Sequence, residues 1–131
     1  GSSSVAEVLL SQGADKEIKD KDGRLLLHWA SMRGHASVVE VLLKEGAGKD
    51  KEAKTNDGRT PLQLASRMGH ASVADLLLRE GADKDPRDDN HMTPLLLSSW
   101  QGHTSVVELL LRYGADKDAK NKSASVTPLI M

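Results

Sequence analysis

The chain has 131 residues, 38% of them apolar and 28% charged, and its 18 Lys and Arg against 19 Asp and Glu leave a formal charge of −1. That length supplies one modest core rather than several, and the charge balance lacks the basic stripe with which nucleic-acid binders displace counterions. There is no run of 18 apolar residues and no apolar segment behind a basic start, so neither a transmembrane helix nor secretion is expected, and zero cysteines removes disulfides, thiolate catalysis and cysteine-ligated zinc together.

In chain order, Gly1 to Ser4 ("GSSS") reads as a cloning remnant. Two dipeptides then recur in step: Gly-His at 34, 69 and 102, spaced 35 and 33, and Gly-Ala at 13, 46, 81 and 114, spaced 33, 35 and 33. A fixed period of this size announces a repeat architecture. Residues 5–19 read as the second helix of a partial repeat, and 20–54, 55–87 and 88–121 read as three full repeats. Residues 122–131 open another at Thr127-Pro128-Leu129.

Each full unit has a polar Asp/Lys/Gly stretch, a short apolar helix, Gly-His, and a second helix with one apolar face. Val38, Val39, Leu42 and Leu43 form that face in the first, with Leu76 to Leu78 and Leu109 to Leu111 at the matching places. Gly34, Gly69 and Gly102 end the first helices and Gly46, Gly81 and Gly114 the second, through the left-handed backbone that glycine tolerates. Helices of about ten residues do not persist alone, so these must stack.

The stretch "DGRTPLQLASRMGHASVADLLLREGAD", Asp57 to Asp83, closely resembles the ankyrin repeat, with its Thr-Pro-Leu-His start, Gly-His hinge and Leu-Leu-x-x-Gly-Ala-Asp close. The resemblance implies an all-α solenoid. Antiparallel helix pairs would stack into a curve, joined by loops or β-hairpin fingers projecting at right angles.

Three departures from the pattern carry expectations. Leu25-Leu26 stand where Thr60-Pro61 and Thr93-Pro94 do, removing the capping hydroxyl and the first-turn proline, so that corner should be looser. Asn90-His91 replace the Asp-Gly of Asp22-Gly23 and Asp57-Gly58, in a turn expected to need positive φ. The loop from Gly46 to Thr60 is two residues longer than that from Gly81 to Thr93, with the extra length expected at a finger tip. Both ends lack the polar outer face of a capping repeat, which makes an end-to-end homodimer through "TPLIM" one expectation.

Five histidines raise metal and catalytic readings. His35, His70 and His103 recur once per repeat, about 10 Å apart along the stack, too far to close on one zinc ion with bonds near ~2 Å. The resemblance implies that they tie neighbouring backbone together, and His28, at the His of Thr-Pro-Leu-His, is read as structural too. No nucleotide-binding glycine motif, phosphate-binding loop or nucleophile elbow occurs. The expectation is no enzyme, no cofactor and no metal.

The resemblance implies that partners bind on one concave face lined by the finger tips, the residue before the Thr-Pro position and the pair before Gly-His. The last two places hold Arg24, Arg59 and Met92, and Met32-Arg33, Arg67-Met68 and Trp100-Gln101, with His91 on the same face. Arg, Met and Trp are the side chains in which interfaces are enriched, while the finger loops are full of Lys and Asp. Trp29, aligned with Leu64 and Leu97, is expected in the core. Trp100, aligned with Met32 and Arg67, is expected outside as a contact. Tyr113 either extends the patch or is incidental, and Ser98-Ser99, like Ala65-Ser66, keep paired helices close.

The resulting expectation is a non-catalytic module that binds a folded protein through a concave face, with no nucleic acid or membrane involved. Near-identical copies, no cysteine and the leading "GSSS" suit a designed or selected binder. Two alternatives stay open: a fragment of a natural intracellular scaffold, and a repeat stack made to study stability or self-assembly.

Overall fold

The structure is a computed structural model and describes residues 19–44 and 47–120. The incomplete repeats expected over 5–19 and 122–131, and with them the "TPLIM" end, fall outside those residues except for residue 19, and Gly46 lies outside them too. Among the described residues six α-helices form three antiparallel pairs: α1 (Leu26–Arg33) with α2 (Ala36–Lys44), α3 (Pro61–Met68) with α4 (Ala71–Arg79), and α5 (Pro94–Trp100) with α6 (Thr104–Arg112). Among the described residues there is no strand, so the fingers are turns rather than β-hairpins.

Local chemistry sets the helix starts. Thr60 Oγ1 accepts the Gln63 N–H at 3.3 Å while Gln63 Oε1 accepts the Thr60 N–H at 2.8 Å, a reciprocal cap with Pro61 in the first turn. Thr93 Oγ1 accepts the Leu96 N–H at 3.2 Å, but Leu96 has no group to return the bond. In α1 the arrangement is inverted. Leu25 is buried and offers no acceptor, yet His28 Nδ1 accepts the Leu25 N–H at 2.9 Å. The first corner therefore keeps the half of the cap that its histidine supplies.

Two rows of helices build the core. The inner row stacks α1 on α3 on α5, the outer row α2 on α4 on α6, and Leu27, Val39, Leu42, Leu62, Val73, Leu77, Leu95, Val106 and Leu110 fill the space between with almost no exposure. The inner helices are packed against one another more closely than the outer ones.

The finger tips are closed by their own side chains. Asp20 Oδ1 accepts the N–H groups of Asp22 and Arg24, both at 2.9 Å, and Asp88 Oδ1 accepts those of Asn90 at 2.8 Å and Met92 at 2.9 Å. Thr55 holds the equivalent place and accepts the Arg59 N–H at 3.2 Å. All three tips have the same length, which corrects the expectation that the longer loop extends a tip. The extra residues lie earlier, in the 3-10 turn Ala47–Glu52, because a tip closed from one side chain to fixed backbone partners cannot absorb them. Adjacent tips are joined through backbone, Asn56 N–H to Asp22 C=O at 2.9 Å and Asp89 N–H to Asp57 C=O at 3.2 Å.

Candidate functional site on the concave face

The inner helices and finger tips bring only part of the expected contact set together. Arg59, Arg67, Met92, Trp100 and Gln101 line one pocket of about 250 Å³, joined by Asn90 and Leu97, which the sequence did not mark as contact residues. Arg59 enters from the finger before α3, Arg67 from the end of α3, Met92 from the finger before α5, and Trp100 and Gln101 from the end of α5. Trp100 is 54% exposed. A second recess of about 220 Å³ beside it is lined by Arg67, Met68, Gln101 and His103, so Met68 adjoins the same surface.

The polar groups of the pocket differ in how far they are satisfied. Asp88, whose side chain is 1% exposed, accepts from Arg59 Nε at 3.2 Å through its second oxygen, and Arg59 also reaches Asp57 at 3.6 Å. That arginine is consumed in tying its own finger to the next one. Among the described residues no acidic group pairs with Arg67.

A second cluster lies one repeat earlier. The guanidinium carbons of Arg24 and Arg33 each sit 5.2 Å from the Trp29 ring centre, and Trp29 Nε1 donates to Asp20 Oδ2 at 2.9 Å. Trp29 is half-buried and partnered, which corrects its assignment to the core. Leu64 and Leu97 at the same place have no polar edge to satisfy and are buried, whereas the indole turns its N–H to the finger carboxylate. The Asp20 carboxyl is held below the usual range, chiefly by the Arg24 N–H. Met32 is half-buried, and its carbonyl accepts from His70 Nε2 at 3.0 Å.

Two expected contact residues stand apart. Tyr113 is 38% exposed, but its hydroxyl donates to Asp75 Oδ1 at 3.3 Å, tying the end of α6 to α4 in the outer row. It does not extend the Trp100 pocket. His91 is exposed at its finger tip with φ 62, a left-handed conformation as expected from its glycine counterparts, and does not line the pocket.

The other histidines work as struts. His70 Nε2 donates to Met32 C=O and His103 Nε2 to Arg67 C=O, both at 3.0 Å, each crossing to the preceding repeat. The repeat before His35 lies outside the described residues. His28 is fully buried, accepts through Nδ1 as above and donates through Nε2 to Ala53 C=O at 2.8 Å. Burial pushes its pKa below the usual 6.5. Among the described residues no three His, Asp or Glu side chains gather as metal ligands. Nor is any described helix long and apolar enough to cross a membrane.

A larger concavity, about 440 Å³, opens between α2 and α4 and is lined by Glu40, Leu43, Lys44, Leu76, Arg79 and Glu80. Its cations are already paired along their own helices, Lys44 with Glu40 at 3.1 Å and Arg79 with Asp75 at 2.9 Å. The concave pocket holds the more demanding set, an exposed indole beside a guanidinium with no acidic partner among the described residues.

A family model described as ankyrin repeats (3 copies) matches residues 1–88 and 48–121. The chain belongs to the ankyrin-repeat family. Ankyrin repeats are generally protein–protein interaction modules, and the family is typically non-catalytic. Over 40 residues, 30% of this chain, it is 45% identical to the acyl-CoA-binding domain-containing protein 6 of Homo sapiens and to that of Bos taurus. It is 44% identical over 45 residues to the protein of that name from Xenopus tropicalis. The chain spans 14% of the length of the human and bovine proteins and 16% of the frog one.

Proposed function

We propose that this ankyrin chain is a non-catalytic binder, designed or selected to recognise a folded partner protein through the concave face centred on the Trp100 pocket. The observation that carries the reading is the contrast between two tryptophans on one face. Trp29 has its N–H and ring partnered within the chain, while Trp100 stands more than half exposed beside Arg67. An exposed indole carries a standing hydration cost that a partner relieves, which is why Trp and Arg dominate binding hot spots. The near-identical repeats, the absence of cysteine and the leading "GSSS" support a designed origin.

A second reading, a fragment of a natural ankyrin scaffold, is favoured by Leu25-Leu26 and the unequal loops, which suit drift better than consensus design. Both readings use the same face. The test is affinity capture with the wild-type chain, Trp100→Ala and the outer-face control Arg79→Ala. A defined set of proteins retained by wild type and the control but released by Trp100→Ala is the expected result. The same set retained by all three would refute a concave site at Trp100.

A further inference from the structure

We propose that the Trp100 pocket receives an acidic peptide segment of its partner, with a bulky apolar side chain entering against Leu97, Met92 and Trp100 and a neighbouring Asp or Glu carboxylate pairing with Arg67. The inference rests on the protein-binding reading above and names the chemistry recognised.

Size comes first. At about 250 Å³ the pocket falls below the roughly 300 Å³ at which small-molecule sites begin. It fits one large side chain, not a whole cofactor. The apolar wall of Leu97, Met92 and the indole then selects an aliphatic or aromatic group.

Charge narrows the partner further. Arg24 pairs with Asp22, Arg59 with Asp88 and Asp57, and Arg79 with Asp75, whereas Arg33 lies over Trp29. Arg67 alone among these is left with neither an acid nor a ring, and it is already half-buried at the pocket wall. An apolar group filling the pocket would strip more water from that guanidinium. Such desolvation is unfavourable unless the incoming segment brings an acceptor, and a carboxylate matches the guanidinium fork in two-point geometry. The Gln101 amide at the same wall offers a donor and an acceptor to the backbone of an extended segment. A polyanion is disfavoured, because the finger carboxylates Asp57 and Asp89 are exposed and the pocket provides a single unpaired cation. One carboxylate beside one apolar side chain is the match.

Random-peptide display on the purified full chain tests this, followed by fluorescence anisotropy of the enriched peptides on wild type, Trp100→Ala, Arg67→Ala and Arg67→Glu. Melting curves of the variants should overlay wild type, since Arg67 and Trp100 side chains support no described hydrogen bond. Expected are peptides with Asp or Glu close to an aromatic or aliphatic residue, losing roughly tenfold or more in affinity on Arg67→Ala. Arg67→Glu should bind the Asp-to-Lys version of the same peptide better than the original. Enriched peptides that need Trp100 but show no acidic bias and ignore Arg67 would overturn the acidic-segment proposal and leave the binding face standing. Peptides indifferent to both variants, or no enrichment, would overturn the two together. Displacement of the peptide by a twelve-nucleotide oligo-dT at comparable concentration would overturn the choice of a protein carboxylate over phosphate.

Discussion

His70 lies directly against Gly34 of the preceding repeat. A Cβ placed on Gly34 would stand 2.6 Å from the imidazole Nδ1, while Nε2 of the same ring donates to Met32 C=O at 3.0 Å. Gly69 and His103 repeat the relationship with the same 2.6 Å approach. The Gly-His dipeptide is therefore two halves of different contacts: the glycine accepts the ring from the next repeat, and the histidine supplies a ring to the one before. Gly34 also has φ 74, where a side chain costs about 1–2 kcal/mol before any clash. Gly34→Ala should lose at least about 2 kcal/mol by urea unfolding, and a loss under 1 kcal/mol would show that the ring moves aside freely.

His28 and Gln63 are interchangeable in kind. Gln63 accepts the Thr60 N–H and donates to Pro86 C=O at 3.1 Å and Met92 C=O at 2.8 Å, as His28 accepts from Leu25 and donates to Ala53. His28→Gln should preserve most of the stability, whereas His28→Leu leaves the Leu25 N–H and Ala53 C=O unpaired and should cost about 2 kcal/mol or more. Equal melting temperatures for the two variants would refute the bridging role.

The same histidine sets a pH dependence. Its folded pKa lies below 6.5, so above that pH both folded and unfolded states hold it neutral and its contribution is complete. As pH falls through 6.5 the unfolded chain takes up a proton that the fold resists, and stability declines until the folded pKa is reached. His28→Gln should flatten that part of the stability-against-pH curve. An unchanged slope would assign it to other groups.

His91 holds the turn position that Gly23 and Gly58 occupy, with φ 62. Its side chain is exposed, so glycine should relieve the left-handed strain without loss of packing. His91→Gly is expected to raise stability by about 1 kcal/mol, measured by thermal and urea unfolding. A loss would mean that the imidazole makes a stabilising contact.

Ser31 and Ser66 are buried at equivalent places, and among the described residues their hydroxyls have no hydrogen-bond partner. Alanine keeps the close helix approach and removes the stranded oxygen. Ser66→Ala should be stabilising by about 1 kcal/mol, and a destabilisation of that size would reveal a bridging water.

The two tryptophans should separate cleanly by stability. Trp29→Ala removes the surface under Arg24 and Arg33 and the bond to Asp20, and should cost about 2 kcal/mol. Trp100→Ala should change stability by under about 0.5 kcal/mol. The reverse order would assign Trp100 to the core and remove it from the proposed site.

The sequence by itself determined the all-helical repeat, because the Gly-His and Gly-Ala periods are local signals: a glycine after an apolar stripe supplies the left-handed residue that ends a helix, and a Thr-Pro pair starts one from its own side chains. It also placed Trp100, Arg59, Arg67, Met92 and Gln101 at recurring positions of one face. Only the tertiary structure decided what each of those positions does. Trp29 left the expected core because Asp20, nine residues earlier, offered its N–H an acceptor. Tyr113 joined the outer row because Asp75 lies one repeat away. Arg59 was spent on Asp88 while Arg67 found no acid among the described residues. These outcomes depend on partners brought close by stacking, and a period along the chain records which positions are equivalent without recording which neighbour each side chain meets.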